Sequence, residues 1–187
     1  RVMKSVTRFI EEKLGLKVNA EKSKVDKPKG IKYLGFGFYF DPFAKGYKAR
    51  PHPKAVEKLK AQIRKLTCRS WGVSNAYKVQ KLNQLIRGWI NYFKIGNMKG
   101  LCARLDGNIR YRMRMCIWKH WKRPKNREKM LIKLGLNKRS AHGISYAKGY
   151  ARVCKSWNIC KCINNERLAK FGLISMLDYY TARCVTC

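Results

Sequence analysis

Basic side chains interleaved with aromatic rings are the residues of this sequence most able to do chemistry. On a helical wheel of residues 99–121 and the position just after it, the cations and rings outside the apolar arc are Arg104, Tyr111, Arg114, Trp118 and Lys122. Cations neutralise phosphates, and rings or guanidinium groups stack on unpaired bases, each stack contributing roughly 1–3 kcal/mol. The alternative is a solvated charged face with scattered aromatics, and this helix alone does not decide between them.

The composition favours the nucleic-acid interpretation. The chain has 187 residues, with 44 Lys and Arg against 10 Asp and Glu, a formal net charge of +34. Such an excess repels itself in the compact state and makes a polyanion the expected partner. Hydrophobic residues at 45% and aromatic residues at 12% exclude a disordered basic tail. No apolar run approaches the roughly 18 residues that a spanning helix needs, so we expect no membrane partner.

The predicted RNA-binding residues extend beyond that helix. Positive charge is densest over 121–127, where a helix passes into a loop. Arg112 falls inside the apolar arc, so either the helix is more buried than the wheel suggests or Arg112 points at a specific partner. The full predicted set is Arg64, Lys65, Arg69, Arg87, Asn91, Arg104, Arg110, Tyr111, Arg112, Arg114, Trp118, Lys119, Lys122, Arg123, Lys125, Arg127, Lys133, Lys138 and Arg139.

Residues for catalysis or metal binding are scarce. The carboxylates include no close Asp pair for a two-metal site, the three His are far apart, and no phosphate-cradling glycine-rich loop occurs. We therefore predict a binding protein with no catalytic residue of its own. The pairs Cys160-x-Cys162 and Cys184-x-x-Cys187 supply four thiols, but the first spacing is too tight for a zinc pair. We predict buried or free thiols and no metal site, with a zinc-dependent nucleic-acid module as the alternative.

The elements that position these residues are mainly α-helical, with a small N-terminal α/β part. Apolar spacing predicts a helix from Val2 that ends at Gly15, then β character at 16–18 and a short antiparallel hairpin beginning with 31–40. Two prolines within 50–53 mark a boundary between 1–50 and 51–187. The first fifty residues are too few to stand alone, so we expect them to pack on the helical part or on something outside this chain.

Helices are predicted along the rest of the chain. One begins at Pro53, and a second follows Ser74 as its N-cap and gathers an apolar face that ends at Phe93, with Gly88 allowing close helix packing. The long third helix runs from about Lys99 to Trp121. Shorter helices are predicted at 127–134, around Trp157, at 165–171 and after Ser175.

Twelve consecutive residues carry a family resemblance: Leu82-Asn83-Gln84-Leu85-Ile86-Arg87-Gly88-Trp89-Ile90-Asn91-Tyr92-Phe93. This segment resembles the signature of the maturase-specific domain, also called domain X or thumb, of bacterial group II intron-encoded reverse transcriptases. Residues 105–112 and 118–122 look like the next stretch of that domain, and 172–180 like its closing segment. Residues 18–23 and 33–36 are similar to the last two palm motifs. The resemblance covers nearly the whole chain in the correct order, and implies a palm end over 1–50 and a thumb/maturase domain over 51–187.

Specific roles follow from the resemblance. Lys22 matches the palm lysine that assists proton transfer, and Leu34, Gly35 and Phe36 match the primer grip. The Y-A-D-D aspartates of the family are absent, which implies that the chain is inactive alone and that Mg²⁺ belongs to the missing polymerase half. The implied partners are group II intron RNA, the template–primer RNA/DNA duplex and the protein's own N-terminal finger/palm half, in the bacterial cytoplasm.

The function implied is an RNA-binding maturase and thumb that promotes intron splicing and grips the template–primer during reverse transcription. From the resemblance we expect neither an endonuclease module nor a zinc-bearing tail after the closing segment. Two alternatives stay open: the thumb of a CRISPR- or defence-associated reverse transcriptase, and a general basic RNA-binding protein.

Overall fold

The computed structural model describes residues 1–23 and 25–184, and this part of the chain is mainly helical with one three-stranded antiparallel sheet near the N-terminus. The predicted fold class is therefore confirmed. The helices of the described part are α1 Val2–Leu14, α2 Pro53–Leu66, α3 Asn75–Phe93, α4 Lys99–His120, α5 Pro124–Lys133, α6 Lys138–Tyr146, α7 Tyr150–Lys155, α8 Trp157–Cys162, α9 Asn165–Lys170 and α10 Met176–Thr181. None of them is both long enough and apolar enough to cross a membrane.

The sheet contains the predicted hairpin and one additional strand. Strands β1 Lys32–Tyr33, β2 Phe36–Asp41 and β3 Gly46–Pro51 lie side by side in chain order. Asp41 closes the hairpin, because its carboxylate accepts from the Phe43 N–H at 3.0 Å and pairs with Lys48. The β character predicted at 16–18 is wrong: Gly15 takes the left-handed conformation with φ 62°, and the Leu16 N–H turns back to the Ile10 carbonyl at 3.3 Å.

Helix α1 forms where it was predicted, but its apolar face is solvent-exposed. Val2, Val6, Phe9 and Leu14 are exposed by 61%, 48%, 58% and 56%, and no residue of the helix is buried. The sheet, in contrast, packs on the helical part through Phe36. The sheet therefore packs on the helical part as expected, and for α1 the other expected outcome, packing on something outside this chain, stays a prediction.

The core lies among α2, α3 and α4 and the short helices that follow. Leu59 and Ile63 of α2 are 2% exposed, and the predicted apolar face of α3 is confirmed by Leu82 and Ile86, which are fully buried. Gly88 was expected to allow close packing, but it is exposed and a Cβ added there would meet no atom within 4 Å. The expectation for Gly88 is therefore wrong.

The C-terminal half contains two helices that periodicity did not predict, α6 and α7. The Asn137 side chain caps α6 by accepting from the Ser140 N–H at 2.8 Å. Gly149, with φ 88°, makes the turn that starts α7. Helix α7 packs on α4, and α10 packs on both α4 and α3, so α4 is covered on several sides.

Asp106 joins the C-terminal segment to α4. Its carboxylate is 3% exposed and accepts from the Met176 N–H at 2.7 Å, the Leu177 N–H at 3.0 Å and the Ser175 hydroxyl at 2.9 Å. The Arg110 guanidinium lies 3.9 Å away. One buried carboxylate therefore satisfies three donors at the start of α10, some seventy positions along the chain.

Replacing Asp106 by Ala should lower the free energy of unfolding by about 2–3 kcal/mol, because buried N–H donors lose a charged acceptor. Urea denaturation followed by tryptophan fluorescence measures this change. The matched control is Glu57→Ala, which removes an exposed carboxylate of α2 and should change stability by less than about 0.5 kcal/mol. Equal stability of the two variants would contradict the role assigned to Asp106.

Candidate nucleic-acid interface

The loop between β1 and β2 holds the residues that resemble a primer grip. Leu34 and Gly35 adopt positive φ values of 46° and 81°, and the Leu34 carbonyl accepts from the Tyr92 hydroxyl at 2.8 Å. Phe36 is buried against the rings of Tyr92 and Phe93 of α3. A Cβ on Gly35 would lie 3.3 Å from Phe93 Cζ, so glycine fits both the backbone angle and the close approach. The loop is thus fixed on α3 and presents Leu34 to solvent.

A groove lined by both polar and apolar residues lies between the sheet, α2 and α4. It encloses about 600 Å³, and its cationic lining residues are Arg50, Lys60 and Arg104. Asn97 also lines it and donates to the Tyr39 hydroxyl at 2.8 Å. Of these residues the sequence predicted only Arg104. Sequence reasoning missed Arg50 and Lys60 because strand β3 and helix α2 meet α4 only in the folded chain.

Two predicted RNA-binding arginines of α4 make contacts inside the protein. The Arg112 guanidinium donates to the Thr67 hydroxyl and, at 3.2 Å, to the Arg64 carbonyl. Burial lowers its pKa below the usual range for arginine. Arg114 donates to the Ile163 carbonyl at 2.8 Å. Arg112 lies in the apolar arc because α4 is buried at this position. RNA contact by Arg112 or Arg114 stays a prediction.

Trp118 was predicted to face RNA, and this prediction is wrong. The side chain is 1% exposed, its ring centroid lies 5.8 Å from that of Trp121, and the Arg127 guanidinium covers it at 4.8 Å. The helical wheel failed because α4 packs on several sides, so the buried arc is wider than its apolar residues suggest. Arg127 is itself 9% exposed and donates to the Tyr150 hydroxyl at 3.1 Å.

The other predicted residues are accessible. Asn91 is exposed and accepts from the Tyr179 hydroxyl at 3.5 Å, Lys22 is exposed, and Arg110 and Tyr111 are half-buried. Among the described residues, the exposed cations of the predicted set form no ion pair with a carboxylate. These cations are Arg64, Lys65, Arg69, Arg87, Arg104, Lys119, Lys122, Arg123, Lys125, Lys133, Lys138 and Arg139.

Cys68, Cys102, Cys116, Cys154, Cys160 and Cys162 are free thiols, and Cys187 lies outside the described residues. Cys162 is buried and Cys160 is partly buried. Within 1–23 and 25–184, no group of three or more His, Cys, Asp or Glu side chains is arranged to hold a metal ion.

Residues 56–135 match the family described as group II intron, maturase-specific domain. This match supports a group II intron maturase-specific domain over that part of the chain. The match spans α2 to the end of α5, and it includes the segment 82–93 on which the resemblance was based. It supports a group II intron maturase-related function. No curated protein matches the chain.

The maturase-specific domain has one thiol in an electropositive, exposed position. Cys68 follows α2, and its Sγ lies 3.1 Å from the Ser70 hydroxyl. The hydrogen bond from Ser70 lowers the pKa of Cys68 below its usual range. Burial, in contrast, raises the pKa of Cys102 and Cys154 to about 12.

Iodoacetamide at pH 8 should therefore modify Cys68 well before Cys102 or Cys154. The reactive species is the thiolate: a lowered pKa gives more thiolate at this pH, whereas a pKa near 12 gives almost none. Mass spectrometry of tryptic peptides measures each site. The difference in modification rate between Cys68 and the two buried thiols should vanish in urea. Equal rates for the three thiols in the native protein would contradict the prediction.

Proposed function

We propose that this chain binds group II intron RNA to promote splicing and grips the template–primer duplex during reverse transcription, in the bacterial cytoplasm. The observation that carries the proposal is the coincidence of the family match with the exposed cations. Ten of these cations, from Arg64 to Lys133, lie within residues 56–135, and none has a carboxylate partner in the described chain. Phosphates of RNA are the counter-ions that such a surface attracts.

Binding of folded RNA should depend mainly on phosphates. The exposed residues Lys122, Arg123 and Lys125 lie together where α4 gives way to α5. Lys122 has φ 50°, so the chain turns sharply between the two helices. Three exposed cations within four residues can contact neighbouring phosphates, and such contacts position an RNA without reading its bases.

The duplex-gripping part of the proposal rests on the loop of Leu34 and Gly35 and on the groove beside it. Pro51 lines the groove and pairs with Phe36 in the sheet, so loop and groove belong to one rigid surface. Exposed Leu34 supplies an apolar contact, and the groove cations supply phosphate contacts. Both actions require binding only; in this proposal the Mg²⁺-dependent chemistry belongs to the finger/palm half.

Competition titration with labelled group II intron RNA against unlabelled tRNA, at two salt concentrations, tests the proposal. We expect intron RNA to be preferred by about 100-fold, or roughly 3 kcal/mol, with the preference surviving higher salt. Equal competition by every RNA, with binding that collapses in salt, would instead indicate a general basic RNA-binding protein.

The triple change Lys122→Gln, Arg123→Gln and Lys125→Gln should weaken binding and reduce the log–log salt slope by about 2 to 3 if each cation contacts a phosphate. The control, Lys4→Gln with Lys13→Gln, removes exposed charges outside the matched range. If both variants lose the same RNA-binding affinity for each charge removed, binding depends on net charge alone.

The exposed apolar face of α1 supports the third predicted partner, a finger/palm half. Val2, Val6 and Phe9 lie on one side of a helix that buries none of its own residues. Contiguous exposed apolar side chains mark a surface that another protein surface covers. The resemblance of the first fifty residues to a palm end makes the rest of a palm the proposed occupant.

Mixing the chain with a separately produced finger/palm half from the same intron should give a complex by analytical ultracentrifugation. Val6→Ser with Phe9→Ser should weaken that complex at least about tenfold, because two buried apolar side chains would lose their contacts. Both side chains are exposed in the chain alone, so folding of the variant should be unchanged. Undiminished association would contradict docking on this face.

A further inference from the structure

A basic pocket forms where three separate segments of the fold meet at Tyr150. Its lining residues are Cys68, Arg69 and Ser70 from the loop after α2, Lys119 near the end of α4, and Tyr150 at the start of α7. Among the described residues, no carboxylate lines it. We call it the Tyr150 pocket.

Three cations surround the Tyr150 ring. The guanidinium carbon of Arg69 lies 4.9 Å from the ring centroid, that of Arg127 lies 5.4 Å away, and the Lys119 ammonium 5.9 Å away. In the described part of the chain none of the three pairs with a carboxylate. A ring face attracts cations but carries no net charge, so the pocket keeps its positive potential.

Arg127 forms the inner wall of this arrangement. It is 9% exposed, rests on the Trp118 ring at 4.8 Å and donates from Nη2 to the Tyr150 hydroxyl at 3.1 Å. Its Nε is buried without a hydrogen-bond partner. A buried guanidinium that lacks both a counter-ion and one hydrogen bond is costly in isolation, and a nearby anion reduces that cost.

We infer that the Tyr150 pocket is a subsite for a phosphodiester phosphate of RNA, an inference that rests on the proposed function. Arg69 and Lys119, which are exposed, contact the phosphate oxygens. Arg127 is a positioning residue that holds the Tyr150 ring from inside.

The location of the pocket favours an RNA backbone over a free phosphate ion. Other exposed cations stand close to its cations along the chain: Arg64 and Lys65, near the end of α2, precede Arg69, and Lys122 follows Lys119. A strand can therefore cross the pocket while its neighbouring phosphates meet these side chains. Tyr150 lies beyond residues 56–135, so the subsite is complete only with the segment that follows the matched range.

Cys68 gives the pocket a local reporter. Its exposed thiol lines the pocket, so a phosphate held there shields it from iodoacetamide. Trypsin releases it on the short peptide 66–69, separate from the peptide 156–161 that carries Cys160. With intron RNA at ten times its Kd, modification of Cys68 should slow about tenfold, as the free fraction of protein falls. Cys160 should be almost unaffected.

The variants Arg69→Gln and Lys119→Gln test the binding contribution. Both side chains are exposed, so folding should be unchanged. Together they should reduce the log–log salt slope of RNA binding by about 1, because they share one phosphate. The matched control is Lys170→Gln, an exposed cation of α9 outside the pocket, which should leave the slope unchanged. Tyr150→Phe keeps the ring but removes the acceptor for Arg127, and should weaken protection of Cys68.

The outcomes separate this inference from the proposed function. If intron RNA binds tightly while Cys68 stays fully reactive, the subsite is wrong and the proposed function stands. If intron RNA does not bind in the titration, the proposed function is wrong, and the subsite inference that rests on it is wrong as well. If inorganic phosphate alone protects Cys68 at lower concentration than RNA phosphates do, the pocket is a free-phosphate site, and the RNA assignment is overturned.

Discussion

Cations outnumber carboxylates in this chain by 44 to 10, and the fold must hold its arginines without enough acids to pair them. It does so with backbone carbonyls and aromatic faces. Arg114 and Arg167 donate to the carbonyls of Ile163 and Leu134 at 2.8 and 3.0 Å, and Arg127 lies between two rings. These contacts give the guanidinium groups hydrogen-bond partners and aromatic contacts in place of water, but they neutralise no charge. The folded chain therefore keeps a strong positive field, and an anion that binds it also stabilises it.

Scarcity makes the few carboxylates structurally important. The Asp106 carboxylate is buried inside the protein, where it accepts hydrogen bonds from two backbone N–H groups and a hydroxyl at the start of α10. Asp41 closes the hairpin, and the hydrogen bond from Lys48 lowers its pKa. Neither carboxylate faces the exposed cations of α4 and α5. The acids hold the scaffold together, and the surface that meets a polyanion is left positive.

Sequence periodicity predicted the long helices well because their apolar faces repeat over several turns. It missed α6 and α7, which are short and lack such a repeat, although Asn137 is a recognisable N-cap. It misplaced Trp118 because α4 packs on several sides, and a wheel assumes one buried face. Exposed cations could be found from charge alone. The Tyr150 pocket could not, since its lining comes from three segments that only tertiary packing brings together.

The structural unit is larger than the matched range 56–135. Within that range Asp106 is a buried carboxylate whose N–H and hydroxyl donors all come from residues 175–177. Arg127 likewise requires Tyr150, and Arg114 requires the Ile163 carbonyl. Without the later helices these buried polar groups would lose their partners, a cost that hydrophobic burial in a small helical fragment does not offset. The segment after 135 therefore completes the folded unit that contains the matched range, and it also supplies the Tyr150 ring around which the cations of the pocket gather.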